Sequence, residues 1–159
     1  MTIRILCIGK LKERFYTEAA QEFLKRLSRY AAVEIVELPD EKAPEQLSPA
    51  ERERVKDAEG RRMLAKLTDG DFVVAMDLKG KELSSEQLAG ELQGWMNGGK
   101  SRIAFLIGGS LGLSDAVLSR ANYRLCFGKP TFSHQIFRIM LLEQIYRAFK
   151  IISGEPYHK

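Results

Sequence analysis

Cysteine and histidine are almost missing from this chain of 159 residues, with two of each. Cys7 and Cys126 stand far apart and outside any CxxC spacing, so neither a disulfide framework nor a zinc site is indicated, and both read as reduced core thiols. His134 and His158 have no cysteine or carboxylate arranged around them at ligand spacing, so no metal is expected. Long apolar runs are absent too. The richest stretch, Ile136 to Ile152, is broken by Arg138, Glu143, Arg147 and Lys150, whereas a bilayer span takes roughly 18 to 20 uninterrupted residues, so no membrane partner is expected. At the start, Arg4 interrupts the first apolar run, Lys10, Lys12 and Arg14 follow it, and no small-residue cleavage site appears, which points to a cytoplasmic protein. Repeats, low-complexity tracts and linkers are lacking, Pro39 to Pro44 being the only long turn-like insert. At 18.0 kDa, with 45% hydrophobic and 29% charged residues, a single globular domain over residues 1–159 is expected.

What charge there is has a pattern. The net charge is +4 over residues 1–30, −5 over 31–60, zero over 61–100 and +5 over 101–159. Two basic ends could together form a surface for a polyanion, since lysine and arginine near phosphates release counterions on binding. A mildly basic face is also common without such a partner.

Apolar stretches rich in β-branched residues and bounded by turn formers predict strands at Ile3 to Ile8, Val33 to Leu38, Phe72 to Leu78, Ile103 to Ile107 and Tyr123 to Phe127. Between them, helices are predicted over Lys12 to Tyr30, Pro49 to Leu67, Ser85 to Met96, Asp115 to Arg120 and His134 to Ile152. Their starts are signposted. Ser48 with Pro49 and Glu51, and Ser84 with Gln87, have capping-box spacing, while Leu83 with Leu88, Leu113 with Leu118 and Phe132 with Phe137 fit hydrophobic staples. This alternation implies an α/β fold, a mainly parallel sheet flanked by helices. Such sheets take ligands beyond the carboxyl ends of their strands. That rule selects the turn after Leu78, the loop Gly108-Gly109-Ser110-Leu111-Gly112, and Gly128 to Phe132 before Ser133.

The GGSLG loop is not GxGxxG and lacks the GK[ST] of a phosphate cradle. It reads either as a tight turn that needs positive φ or as a loop that lets a ligand without phosphates approach the backbone. His134, in the first turn of the last helix, reads either as a neutral base, its charged form disfavoured by the helix N-terminus, or as a cap. In that helix Phe137, Leu141, Ile145, Phe149 and Ile152 form an i, i+4 stripe that Ile136, Met140, Ala148 and Ile151 widen. So broad an apolar circumference fits either a subunit face or a fully buried helix. Glu143 and Arg147 are spaced as a favourable helix pair. Tyr157, His158 and Lys159 offer groups that stack on a base or meet phosphate, unless the end simply frays.

The segments IGKLKERFY, PDEKAPE, FLIGGSLGL, TFSHQIFR, LLEQIYRAFKI and PYHK, in this order from end to end, resemble the bacterial ribosomal large-subunit RNA methyltransferase H family of the SPOUT superfamily. The resemblance implies a SPOUT-type sheet with a C-terminal trefoil knot, S-adenosylmethionine as cofactor, and a homodimer. It implies a substrate, N3 of a pseudouridine in 23S rRNA within the assembled 70S ribosome. Cofactor positions carry over to Met76, Gly108, Phe127, Gly128, Lys129, Pro130, Thr131 and Phe132. Met76 stands where many relatives have leucine, and G-K-P-T-F-S-H-Q stands for the more usual S-K-M-T-F-P-H-Q. Pro130 therefore offers no NH to a ligand. For proton handling the candidates are His134, Glu143, Tyr157 and His158, and for RNA contact Arg138, Arg147 and Lys159. A second function compatible with the sequence is a ribosome-associated RNA-binding protein without catalysis.

Overall fold

The computed structural model describes residues 1–159 and alternates strands and helices: β1 (Thr2–Ile8), α1 (Arg14–Leu27), β2 (Ala32–Leu38), α2 (Pro49–Leu64), β3 (Phe72–Glu82), α3 (Ser85–Asn97), β4 (Arg102–Ile107), α4 (Asp115–Arg120), β5 (Tyr123–Cys126) and α5 (His134–Ile152). The strands form one sheet in the order β2-β1-β4-β3-β5, with every pairing parallel. The core lies on both faces, as a parallel sheet covered by helices requires. From β1 and β4, Ile3, Ile5, Cys7, Ile103, Phe105 and Ile107 enter the larger core, which Leu88 and Leu92 of α3 and Leu141 and Ile145 of α5 complete. The alternate residues Leu6, Ile8, Ala104 and Leu106 face a smaller core with Met63 of α2 and Val117 of α4. This is the period of two that a strand imposes.

The expected caps form. Ser48 Oγ accepts from Glu51 N at 3.2 Å while Ser48 N donates to the Glu51 carboxylate at 3.3 Å, and Ser84 and Gln87 do the same at 3.1 and 2.8 Å. Ser114 and Ser133 cap α4 and α5 through Val117 N and Ile136 N. The rings of Phe132 and Phe137 lie 6.1 Å apart across the start of α5. Helix α1 begins at Arg14 rather than Lys12, and Glu13, its first flanking residue, makes no side-chain cap.

Two features depart from the simple reading. Strand β3 does not stop at Leu78. Met76 and Lys81 both register against Leu125, so residues 77–80 bulge out of the ladder with β5. At Gly80 a Cβ would lie 2.8 Å from the backbone of Arg124 and Leu125, so only glycine lets the two segments touch. The broad apolar circumference of α5 is largely used within the chain, because α1 packs on one flank and α3 on the other. Only Ile136 among its large apolar residues is exposed. No helix is long and apolar enough to cross a membrane.

Candidate active site

The three strand-end segments chosen from sequence converge. They enclose a cavity of about 650 Å³ between the ends of β3, β4 and β5 and the start of α5. Met76, Gly108, Phe127, Gly128, Pro130, Thr131 and Phe132 line it, joined by Asp77, Leu78, Leu111, His134 and Phe137. Lys129 is exposed and stands outside the lining. The tight-turn reading of the glycine loop holds. Gly112 N donates to Gly109 O at 3.1 Å, Gly112 has φ +86, and a Cβ on Gly108 would lie 2.7 Å from the Gly112 carbonyl carbon. The loop is thus a tight turn, and its inner wall faces the cavity. Beneath it lies buried Glu59, whose Oε1 would sit 3.0 Å from a Cβ at Gly109. Glu59 Oε2 accepts from Glu41 N at 3.0 Å, and burial pushes this carboxyl above the usual carboxylate range.

Two buried polar atoms of cavity-lining residues have no hydrogen-bond partner: Asp77 Oδ2, with Arg124 Nη1 3.8 Å away, and His134 Nδ1. Leaving a buried polar atom without a hydrogen bond is costly. Burial lowers the His134 pKa, the charge of Arg138 lowers it further, and Asp40 opposes both. The imidazole is therefore neutral at pH 7 and its ring lies against Gly9, where a Cβ would come within 3.0 Å of Cε1. The neutral state expected from the helix N-terminus has burial as its main cause. Asp77 was not singled out from sequence, although its place at the end of a buried apolar strand is a usable signal.

Arg138 overturns its expected role in RNA contact. Its side chain is 0% exposed, Nη1 donates to Glu37 Oε2 at 2.7 Å and Nη2 to Gly9 O at 3.2 Å. The same Glu37 oxygen accepts from Leu11 N at 2.8 Å. A guanidinium so enclosed has no face left for phosphate; it fastens α5 to the loop after β1.

The C-terminal residues are docked rather than frayed. Tyr157 donates to Glu143 Oε1 at 3.0 Å, and its ring meets Tyr146 edge-on at 4.9 Å. Arg147 donates to the same oxygen, lies 4.7 Å over the Tyr157 ring and faces His158 Nδ1 at 3.2 Å. His158 Nε2 lies 2.8 Å from Glu86, and that bond holds the Glu86 carboxyl at about 2. Burial, then the bond to Glu143, pushes the Tyr157 phenol up, so it stays protonated. Glu155 is gripped by Lys150 at 2.7 Å and Tyr30 at 2.8 Å. The structure thus joins Glu143, Arg147, Tyr157 and His158 into one cluster, leaves Lys159 exposed, and sets the cluster apart from the cavity. Glu143 is nine residues along α5 from His134, about 13 Å at 1.5 Å per residue. No three His, Cys, Asp or Glu side chains come together as a metal site.

A parallel sheet with an apolar strand-end cavity, two glycine-bearing loops and no phosphate cradle is shared by several enzyme classes, and comparison with known proteins separates them. Residues 1–158 match the family described as "Predicted SPOUT methyltransferase". The chain belongs to the SPOUT methyltransferase family. It is 57% identical to the ribosomal RNA large subunit methyltransferase H of Alkaliphilus oremlandii and 55% identical to that of Listeria monocytogenes, in each case over all of both chains. Among solved structures it resembles the tRNA (m1G37) methyltransferase of Aquifex aeolicus, with a TM-score of 0.57 and 16% identity over 100% of this chain and 75% of that one. It also resembles a probable methylase family protein of Haemophilus influenzae, with a TM-score of 0.54 and 14% identity over 96% of this chain and 66% of that one. These two likenesses show the SPOUT-type fold. Membership in the family makes the chain a user of a methyl donor.

Proposed function

We propose that the chain transfers a methyl group from S-adenosylmethionine to N3 of a pseudouridine in 23S rRNA of the large subunit. It acts in the cytoplasm on assembled 70S ribosomes, as a homodimer of one-domain subunits spanning residues 1–159. The cavity carries this reading, taken with full-length relatives that bear the name ribosomal RNA large subunit methyltransferase H. A C-terminal trefoil knot is part of this reading, carried by membership in the SPOUT family.

The residues fit the donor. A volume of about 650 Å³ lies within the roughly 300 to 1,000 Å³ typical of small-molecule sites. The apolar walls of Met76, Leu78, Leu111 and Phe127 suit an adenine and a thioether. The Asp77 carboxylate, part of the cavity lining, supplies an acceptor for an amine or ribose hydroxyl. When bound, the donor supplies an electrophilic methyl on a sulfonium. The protein's share is alignment, exclusion of water and removal of the N3 proton. Gly108 and Gly128 let the ligand approach backbone, and Phe132 and Phe137 cover one side. His134, neutral and part of the cavity lining, is the candidate to accept a proton. Glu143 is already occupied by Arg147, Tyr157 and Gln144, so the tail cluster serves to hold RNA and to polarise the uracil edge. It reaches a cavity when the tail of one subunit meets the pocket of the other.

Calorimetric titration tests this. S-adenosylmethionine should bind saturably, and a dinucleotide should not. Gly108→Ala, whose new Cβ must push the Gly112 backbone aside, should weaken donor binding by at least about tenfold, or 1.4 kcal/mol, while circular dichroism shows the fold retained. Unchanged binding by this variant removes the loop from the site. Absence of any donor binding by the wild type leaves the non-catalytic ribosome-binding protein as the better reading.

A further inference from the structure

The segment that follows β1 lies outside the cavity wall and sends only Leu11 against the core, yet it is built with care. Gly9 takes φ +94 and lies against the His134 ring. Its carbonyl is held by Arg138 and its NH by Leu38 O at 2.8 Å, and Leu11 N is held by Glu37. Buried Arg138, paired with the half-exposed Glu37, thus clamps the loop at both ends of Lys10. Beyond the clamp everything points outward. Lys10 and Lys12 are exposed and neither pairs with a carboxylate, while Arg14 pairs with Glu18 at 2.7 Å. Phe15 is 64% exposed, the most exposed large hydrophobic side chain of the protein, with its ring 4.3 Å from that of Tyr16. A loop held by three backbone bonds that presents two free ammonium groups and a bare aromatic ring has the makings of a ligand surface. Its contact with His134 puts it beside the cavity.

We propose that Lys10 to Phe15 is a docking surface for the RNA substrate, with Lys10 and Lys12 on phosphates and Phe15 stacked on an unpaired base near the nucleotide held beside His134. The proposal rests on the RNA substrate of the proposed function. Charge complementarity selects RNA over a second copy of this chain, because lysine is depleted at the cores of protein–protein interfaces, whereas a cationic track with a stacking aromatic is the usual means of holding single-stranded nucleic acid. Clamping the loop beforehand spares the entropy that a flexible basic loop would lose on binding.

The test uses the full chain and 70S particles carrying unmodified 23S rRNA, with binding measured over a series of KCl concentrations. Lys10→Ala combined with Lys12→Ala should reduce the slope of log K against log salt by about 1.4 to 1.8, the loss of two phosphate contacts. Phe15→Ala should weaken binding by about fivefold or more, and Phe15→Trp should restore it. Donor titration and sedimentation should be unchanged in all three. Wild-type slope and affinity in the variants overturn the proposal, and so does a change of subunit association with Phe15→Ala, which would make Phe15 a contact between copies. Wild-type protein that binds particles in this lysine-dependent way but transfers no methyl would instead count against the functional reading alone.

Discussion

Glu37→Ala should lower the free energy of unfolding by about 3 kcal/mol, the scale seen when one partner of a buried ion pair is removed. Arg138→Met should cost clearly less. The asymmetry follows from where the two charges sit: the Arg138 side chain is 0% exposed and that of Glu37 is 35% exposed. Without Glu37, a buried guanidinium keeps only the Gly9 carbonyl as partner, and its Nε is already unpaired. Without Arg138, the carboxylate can turn to water and still accept from Leu11 N, and methionine fills most of the vacated volume. Glu37→Gln, which keeps an acceptor but not the charge, should fall between wild type and Glu37→Ala. Urea unfolding at pH 7 measures the order. Equal losses for Glu37→Ala and Arg138→Met would mean that packing, not burial of charge, sets the value of this contact.

The largest effect on turnover is expected from the C-terminus. Deleting Tyr157, His158 and Lys159 should leave affinity for S-adenosylmethionine nearly unchanged and lower methyl transfer to ribosomes by at least about tenfold, or 1.4 kcal/mol of transition-state stabilisation. The division of effects comes from geometry. The tail is anchored on Glu143 and Arg147, about 13 Å or more along α5 from the cavity of the same subunit, so its removal does not disturb the donor pocket. Because deletion also strips the Tyr157 ring from Tyr146 and Arg147, a second variant separates packing from chemistry. Tyr157→Phe keeps both ring contacts and loses only the hydroxyl on Glu143. It should hold thermal stability close to wild type yet lower single-turnover transfer. Full activity in the deletion would make the docked tail purely structural, and loss of donor binding would make it part of the donor site rather than of RNA handling.

Much of this architecture is legible in the chain. Capping boxes at Ser48 and Ser84, the cap at Ser133, and strands apolar on both faces locate the elements to within a few residues, and the strand-end rule alone picks the three segments that enclose the cavity. What stays hidden depends on partners distant in sequence. Arg138 occupies a helix position that looks like any basic residue between apolar neighbours, and only Glu37, 101 residues earlier, makes its burial tolerable. The order of the tail likewise comes from Tyr30, Glu86 and Glu143, none of which is near it in the chain. The bulge of residues 77–80 against β5 is a contact on which periodicity is silent: KGKE reads as a turn, and the need for glycine at position 80 shows only when the neighbouring strand is in place.

The central claim is that the strand-end cavity delivers a methyl group to large-subunit RNA. It is tested most directly by incubating the protein with methyl-labelled S-adenosylmethionine and 70S particles that carry unmodified 23S rRNA, then locating the label by nuclease digestion and mass spectrometry. The expected result is label confined to 23S rRNA, on N3 of a single pseudouridine. Label on another RNA, on another atom, or on no RNA at all would contradict it.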